Sequence, residues 1–245
     1  MSAPPADGYL GGKVRLTQAP DGYRAGIDAA LLAAALELKP GAHAAEFGCG
    51  AGAAILSAAV LNPDARFAGV ERDPAALGLA QRNVALNGLG ARISLHEGDA
   101  LSWRGPSQFD AVFFNPPFFD NPGALRAPKP GKASAWLNEA GLAAWIDAGL
   151  KRLKEGGVLT LIHRADALAA ILAGLEGRAG EAAVMPVHPR SDAPAKRVLV
   201  AARKVSKAPL RILPALTLHP ETGPGYTREA EAVLTGAARL ALHPG

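Results

Sequence analysis

The sequence predicts an α/β fold with a mostly parallel sheet flanked by helices. First, from residue 43 onward, short apolar runs rich in β-prone residues alternate with segments of helical length. Second, a glycine-rich turn at 48–52 joins the first of these strands to a helix. Third, 49% of the 245 residues are hydrophobic, which is enough to bury a sizeable core. Because strands that alternate with helices form βαβ units, these observations together indicate a parallel sheet.

The N-terminal part precedes the alternating pattern. Residues 1–12 are rich in Pro, Gly and Ala and are expected to be loosely ordered. Polar and apolar residues alternate over 13–18, which predicts a short strand. A helix that contains Leu31 and Leu36 follows, and the Pro-Gly pair at 40–41 ends it.

Seven core strands are expected in the alternating region. Their ranges are 43–47, 66–70, 92–96, 109–114, 158–163, 181–188 and 197–203. Capping residues help to place the helices between them, since Asp73 suits an N-cap and Pro74 suits the first helical position. The predicted helices run through 55–60, from 74 to a stop at 87–88, over 138–153 and over 165–175. A last short helix follows Thr227, which suits its N-cap.

The chain is expected to form one domain. Residues 1–40 would be an N-terminal extension and helix, 41–205 the core, and 206–245 a C-terminal tail with a short helix. The connection at 119–135 contains several Pro and Gly residues. A loop of that length without secondary structure is usually either functional or disordered.

Composition excludes several kinds of protein. The single cysteine, Cys49, rules out an internal disulfide and a cysteine zinc cluster, so no metal is expected. No apolar run is long enough to span a bilayer, and the N-terminus does not resemble a secretory signal. We therefore expect a cytoplasmic protein with no membrane partner. The formal net charge of +4 permits a polyanionic partner without requiring one.

Basic residues are concentrated in two segments. One group follows the fourth strand and consists of Arg126, Lys129 and Lys132. The other lies near the last two strands and consists of Arg190, Lys196, Arg197, Arg203, Lys204, Lys207 and Arg211. Ordinary solvent-exposed charge explains such residues in most proteins, but they become candidates for phosphate contacts if the chemistry indicates a nucleic acid.

Four successive strand ends carry residues suited to binding a ligand. The glycine turn follows the first strand, Glu71 ends the second, Asp99 follows the third and Asn115 follows the fourth. In open α/β folds, ligands bind at the edge where the parallel strands end. Each residue alone is explained as a cap or turn residue, whereas the joint arrangement indicates a site. The turn and Glu71 also fit an NAD site, because with Ala53 the turn reads G-x-G-x-x-A.

The motif Asn115-Pro116-Pro117-Phe118, together with the glycine turn, resembles class I S-adenosylmethionine-dependent methyltransferases that act on exocyclic amino or amide nitrogens. The resemblance covers about residues 13–205. It implies a Rossmann-like fold with a seven-stranded, mostly parallel sheet and S-adenosylmethionine as the cofactor. The whole chain looks most like bacterial tRNA (adenine-N6) methyltransferases, which implies an RNA partner, with tRNA favoured over rRNA.

The resemblance also implies which residues bind the cofactor. The glycine turn would hold the methionine moiety, Glu71 the ribose, and Asp99 with Ala100 the adenine. The stretch from Tyr23 to Asp28 looks like the family's N-terminal Arg-x-Gly-x-Asp element, which would close over the cofactor. The full implied set is Arg24, Asp28, Glu46, Gly48, Cys49, Gly50, Gly52, Glu71, Arg72, Asp99, Ala100 and Asn115.

The catalytic residues implied by the motif are Asn115, Pro116, Pro117 and Phe118. An exocyclic amine is a poor nucleophile because its lone pair is delocalised into the ring. Asn115 Oδ1 and the Pro116 carbonyl oxygen can each accept one amine hydrogen and so aim the nitrogen, and the two prolines keep these acceptors fixed. Phe118 would stack on the target base.

Several alternatives remain open from the sequence. Adenine enzymes of this group more often have Tyr at the position of Phe118, so an rRNA guanine-N2 methyltransferase is one alternative. A protein-glutamine N5 methyltransferase is another, although such enzymes usually carry an N-terminal helical domain and few residues precede Gly48. Two alternatives of other classes are an NAD-dependent oxidoreductase and an RNA-binding protein without activity, and the intact Asn115 disfavours the latter.

Overall fold

The computed structural model describes residues 7–19, 25–105, 108–117 and 141–242. The strands in these residues are β1 (Asp7–Tyr9), β2 (Val14–Leu16), β3 (His43–Phe47), β4 (Arg66–Glu71), β5 (Ile93–Glu97), β6 (Phe109–Phe114), β7 (Leu153–Arg164), β8 (Ala179–His188), β9 (Arg197–Lys204), β10 (Arg211–Ile212) and β11 (Leu216–Thr217). The helices are α1 (Ile27–Ala34), α2 (Ala53–Leu61), α3 (Pro74–Leu86), α4 (Leu142–Arg152), α5 (Leu168–Leu175) and α6 (Arg228–Leu234), with a 3-10 turn at Ala165–Ala167.

A mixed sheet forms the centre of the structure, in the order β5-β4-β3-β6-β7-β9-β8. The five strands from β3 to β7 are parallel, whereas β9 is antiparallel to both β7 and β8. The two-residue strands β10 and β11 pair with β8 on its other side. The Rossmann-like fold class and its seven strands are therefore confirmed, and β10 and β11 are short additions to the edge.

The predicted helix caps are confirmed. Asp73 Oδ1 accepts a hydrogen bond from the Ala75 N–H at 2.9 Å, and Pro74 is the first residue of α3. Thr227 Oγ1 accepts a hydrogen bond from the Ala230 N–H at 3.1 Å at the start of α6. Each cap satisfies a backbone donor that the first helical turn leaves without an intrahelical partner.

The structure differs from the prediction in two places. Residues 7–9 were expected to be loosely ordered, but they form β1 and pair with β2. The second difference is at the start of β7. The sequence predicted a helix to 153 and a strand from 158, but β7 already begins at Leu153. Leu153 is fully buried and pairs with Phe109, so its side chain belongs to the core of the sheet. A single Leu before charged residues carries no alternating pattern, and tertiary packing alone decides its conformation.

Two hydrophobic clusters cover the two faces of the sheet. On one face, α1, α2 and α6 pack with the β1–β2 pair around residues such as Leu31, Ile55 and Phe113. On the other face, α4 and α5 pack against strand residues such as Phe114. The C-terminal segment adds buried side chains to the first cluster, namely Leu216, Leu218, Ala230, Val233, Leu240 and Leu242. Burial on both faces explains why the central strands are almost entirely apolar.

The side chain of Asn83 connects the N-terminal strands to the glycine turn. Asn83 is fully buried on α3. Its Oδ1 accepts from the Thr17 N–H at 2.8 Å, and its Nδ2 donates to the carbonyl oxygens of Thr17 and Ala51, each at 2.9 Å. One amide therefore fixes the segment after β2 against the turn between β3 and α2.

We expect Asn83→Ala to destabilise the fold. The substitution leaves the Thr17 N–H and the Thr17 and Ala51 carbonyl oxygens without their side-chain partner, which should lower the free energy of unfolding by about 2 kcal/mol. Urea denaturation measures the change. Gln81→Ala is the matched control, because Gln81 is exposed on the same helix and its loss should cost less than about 0.5 kcal/mol. Equal stabilities of the two variants would contradict the role of Asn83.

Candidate active site

The strand register brings the predicted site residues to one edge of the sheet. Phe47, the last residue of β3, pairs with Val70 on one side and with Phe114 on the other. Gly48 and Asn115 are therefore the first residues after two neighbouring strands that end at the same level of the sheet. Glu71, which follows Val70 in β4, lies beside them. The order of the strands reverses here, since β4 lies on one side of β3 and β6 on the other. Ligands of open α/β sheets bind at such a switch point.

The glycine turn is closed on one side and open on the other. The N–H groups of Gly48 and Cys49 both donate to the Val70 carbonyl oxygen, at 2.8 and 3.0 Å, which folds the turn over the end of β4. A Cβ on Gly48 would lie 2.9 Å from Trp145 Cη2, so the ring fills the space under this residue. A Cβ on Gly50, whose φ is 55°, would meet no atom within 4 Å. Gly52 is the N-cap of α2.

The carboxylate of Glu71 connects the turn to the next helix. Its Oε2 accepts a hydrogen bond from the Gly50 N–H at 2.8 Å, and its Oε1 accepts one from the Asp73 N–H at 2.9 Å. Two backbone donors thus fix the carboxylate, which keeps lone pairs for a further donor such as a ligand hydroxyl. Arg72 is exposed next to it.

Asp99 and Ala100 form a tight turn after β5. Asp99 Oδ1 accepts from the Leu101 N–H at 3.0 Å, and the Asp99 carbonyl oxygen accepts from the N–H groups of Ser102 and Trp103. The Asp99 residue is exposed and Ala100 is buried beneath it. The turn therefore presents a carboxylate at the carboxyl edge, next to the end of β4.

The end of β6 carries the Asn-Pro-Pro segment. Asn115 and Pro117 are half-buried and Pro116 is buried. Within the part of the chain that the structure describes, the Asn115 side chain makes no hydrogen bond, so its amide oxygen is available to a ligand. Phe118 lies outside the described residues.

Asp28 lies at the start of α1, and its partner comes from a distant strand. Asp28 Oδ2 accepts a hydrogen bond from Arg197 Nε at 3.1 Å, and the carboxylate is mostly buried. The pair ties α1 to β9. Arg24 lies outside the described residues.

Glu46 is a buried carboxyl under the turn. It is 4% exposed, and burial raises its pKa well above the usual range for a glutamate, although a hydrogen bond from the Ile55 N–H acts in the opposite direction. Among the described residues, Glu46 Oε2 has no hydrogen-bond partner. Burial also raises the pKa of the neighbouring Cys49 thiol, so the thiol is protonated and packs as an apolar group.

The second group of basic residues does not form one surface. Because β9 is antiparallel to β7, Arg197 lies at the carboxyl edge of the sheet and Arg203 at the opposite edge. Arg203 Nε donates to Glu181 Oε2 at 2.8 Å, and Lys204 Nζ donates to the Leu153 carbonyl oxygen at 2.7 Å. These seven residues therefore cannot contact a nucleic acid as a unit. The first basic group, at 126–132, lies outside the described residues.

Two residues at the site were not singled out by sequence reasoning. Asn83 has no signal in a single sequence, because a polar residue on a helix is ordinarily exposed. Trp145 falls on the apolar face of a predicted helix, and this position indicates only that the side chain packs in the core. In the described ranges, no group of three or more His, Cys, Asp or Glu side chains is arranged to hold a metal ion. None of the described helices is long and apolar enough to cross a membrane.

The raised pKa of Glu46 predicts a specific pH dependence of stability. The folded protein keeps this carboxyl protonated at pH values where the unfolded chain ionises it, so the free energy of unfolding falls as pH rises from the ordinary carboxyl range toward the raised pKa. The Glu46→Gln variant has no ionisable group at this position, so it does not lose stability in this way as pH rises. Urea denaturation from about pH 4 to pH 7 should therefore show the stability difference moving in favour of the variant as pH rises. A difference that stays constant over this range would contradict the protonated Glu46.

Comparison with known proteins identifies the family. A family model described as the methyltransferase small domain matches residues 24–176. A tRNA1(Val) (adenine(37)-N6)-methyltransferase of Porphyromonas gingivalis is 32% identical over 238 residues, covering 89% of this chain and 91% of that protein. A ribosomal protein uL3 glutamine methyltransferase of Bradyrhizobium diazoefficiens is 31% identical over 106 residues, covering 43% of this chain and 33% of that protein.

A solved structure shows the same architecture. The crystal structure of a predicted O-methyltransferase from Agrobacterium tumefaciens superimposes with a TM-score of 0.72 at 28% identity, covering 87% of this chain and 98% of that chain. The family match decides between the two cofactors that the glycine turn and Glu71 fit. The chain belongs to the methyltransferase small domain family, and it is a class I methyltransferase that takes its methyl group from S-adenosylmethionine.

Proposed function

We propose that the protein methylates the N6 amino group of an adenine in tRNA. The observation that carries the proposal is the position of Asn115-Pro116-Pro117, which follows β6 directly beside the glycine turn. The P. gingivalis relative, named as a tRNA adenine-N6 methyltransferase, supports the choice of base and RNA.

The chemistry of the Asn-Pro-Pro segment suits an exocyclic amine. Asn115 Oδ1 and the Pro116 carbonyl oxygen are two acceptors for the two amine hydrogens, and accepting both aims the nitrogen lone pair in one direction. Pro116 and Pro117 each have a fixed φ, so these acceptors keep their places without an ordering cost at the moment of reaction. No strong base is needed, because the amine proton can leave after the transfer. Stacking of the base on Phe118 is part of the proposal.

Two features of the turn fit S-adenosylmethionine. The open space at Gly50 leaves room for a ligand against the backbone. The buried Glu46 Oε2, without a partner among the described residues, suits the positively charged amino group of the methionine moiety, whose charge would favour the ionised carboxylate over the protonated form of the unliganded protein. When bound, the cofactor supplies an electrophilic methyl group on a sulfonium centre. Glu71 would accept hydrogen bonds from the ribose, and Asp99 with Ala100 would bind the adenine.

A second candidate is methylation of a glutamine side chain in a protein. The similarity to the uL3 glutamine methyltransferase supports it, and an amide nitrogen also offers two hydrogens to the same pair of acceptors. That similarity covers less than half of this chain, whereas the tRNA enzyme matches most of it. The tRNA proposal is therefore the better supported.

One experiment separates these substrates. The protein is incubated with labelled S-adenosylmethionine and, in separate reactions, with tRNA and rRNA from a strain that lacks it, and with release factors and ribosomal protein uL3. Mass spectrometry of the digested RNA should identify N6-methyladenosine in the tRNA alone. N2-methylguanosine in rRNA, or label on a protein glutamine, would overturn the proposal.

We expect Asn115→Ala to abolish methyl transfer while leaving cofactor affinity nearly intact. Loss of one acceptor misplaces the amine, which should lower kcat by about a hundredfold or more. Asn115→Asp is the informative partner variant, because it keeps an acceptor oxygen at the same position and should retain more activity than the alanine variant. Single-turnover rates measure both. Wild-type rates in Asn115→Ala would refute the role of the amide.

Gly50→Ala and Gly88→Ala together test the cofactor site. Both glycines have positive φ, 55° and 65°, and at both a Cβ would meet nothing within 4 Å. Each alanine should therefore cost a similar amount of stability, about 1 kcal/mol. Gly50 adjoins the Glu71 carboxylate, whereas Gly88 follows α3 away from the strand ends. Calorimetry should show S-adenosylmethionine affinity falling by on the order of tenfold or more only in Gly50→Ala. Equal affinities would place the cofactor elsewhere.

A further inference from the structure

The carboxyl edge of the sheet is divided into two halves by Asn115. The cofactor residues of the proposed function follow β3, β4 and β5, which all lie on one side of β6. The ends of β7 and β8 and the start of the antiparallel β9 lie on the other side and carry none of them. If a nucleotide enters at Asn115, the second half of the edge is the side on which the rest of its RNA strand can run without crossing the cofactor residues.

The loop at 219–226 projects from the far end of the second half. The backbone N–H of Leu218 donates to the carbonyl oxygen of His188, the last residue of β8, and that of His219 donates to the Pro189 carbonyl oxygen. The loop returns at Thr227, whose N–H donates to the Leu218 carbonyl oxygen at 2.8 Å and whose Oγ1 donates to the Thr217 carbonyl oxygen at 2.7 Å. The loop therefore begins and ends on the same edge of the sheet as Asn115.

Two stacked rings stand on this loop. His219 and Tyr226 have ring centroids 5.1 Å apart and an interplanar angle of 19°. Tyr226 is 43% exposed, one of the few large apolar side chains in the described residues that face solvent. The His219 ring donates from Nδ1 to the Gly225 carbonyl oxygen at 2.6 Å, which fixes its orientation. An exposed flat surface with a fixed orientation is suited to stacking on a nucleobase.

The charges around the rings are mixed. The Arg190 side chain donates hydrogen bonds to the carbonyl oxygens of Pro220 and Gly223. Because these acceptors among the described residues are neutral, they do not cancel the positive charge of the guanidinium group. Lys196 is exposed before β9, and within the described ranges its ammonium group has no ion-pair partner. Glu221 adds a negative charge, and it accepts from Ser191 Oγ at 3.4 Å. Stacking rather than net charge is thus the main contribution of this surface.

From these contacts we infer that the 219–226 loop binds the RNA strand away from the target base, with Tyr226 stacked on a base several nucleotides from the target and Lys196 beside a phosphate. The inference rests on the proposed function. Four strand spacings separate β6 from β11, or about 19 Å at roughly 4.8 Å each. Successive nucleotides of a stacked strand are about 3.4 Å apart, so several nucleotides lie between the target and the stacked base.

Tyr226→Ala tests the stack. It should raise the Kd and KM for unmodified tRNA by roughly 5- to 100-fold, because base–aromatic stacking is lost, and leave kcat at saturating tRNA unchanged. Tyr226→Phe keeps the ring and should behave like the wild type. Ile212→Ala is the matched control, since Ile212 is 71% exposed and pairs with Val184, four residues before β8 ends at the carboxyl edge. S-adenosylmethionine affinity and thermal midpoints should be unchanged in all three variants.

The salt dependence of tRNA binding tests the phosphate contact. Lys196→Ala should reduce the slope of log Kd against log salt by about 0.7, the value for one phosphate contact to a single strand. Lys207→Ala, which removes an exposed lysine after β9, on the opposite edge of the sheet, should leave the slope unchanged.

The outcomes separate the two hypotheses. If the wild type methylates no tRNA, the proposed function fails. If the wild type methylates tRNA but Tyr226→Ala matches it in both Kd and KM, the loop has no part in binding and only this inference is overturned. A Tyr226→Phe variant as weak as Tyr226→Ala would likewise exclude stacking.

Discussion

The parallel pairing of β3 with both β4 and β6 is the constraint on which the rest of the structure depends. Phe47 is in register with Val70 and with Phe114, so three neighbouring strands end side by side at one level of the sheet. The glycine turn, Glu71 and the Asn-Pro-Pro segment all begin at that level. A shift of one residue in either pairing would turn the apolar side chains of a strand to the other face and separate these groups. The site is therefore a consequence of the sheet register.

Much of the fold could be predicted because its signals are local. Alternating apolar runs and helical segments indicated β3 to β9, and the Asp73 and Thr227 caps were readable from residue type and spacing. The strand ends of the site were predictable for the same reason, since Glu71 and Asn115 each end an apolar run. Their alignment follows from the rule that parallel strands end at one edge.

Other features depend on contacts between distant parts of the chain. In the sequence, Asn83 looks like an ordinary polar helix residue. Its side-chain amide makes three hydrogen bonds only because the fold brings Thr17 and Ala51 next to it. Arg197 and Arg203 are close in sequence, but an antiparallel strand places them at opposite edges of the sheet. Asp28 forms a pair with Arg197 across 169 positions of the chain. Such partners cannot be predicted from the neighbouring sequence, because only the complete fold brings the residues together.

The contact between Gly48 and Trp145 has an evolutionary consequence. The Trp145 ring occupies the place that a side chain at position 48 would take, with 2.9 Å between Cη2 and an added Cβ. The two positions are therefore not free to vary separately. A smaller side chain at 145 would make room for a methyl group at position 48, but the φ of 68° at Gly48 would still strain any other residue there, so a descendant sequence would have to change both the ring and the backbone of the turn. In an engineered variant, the same pair would have to be redesigned together.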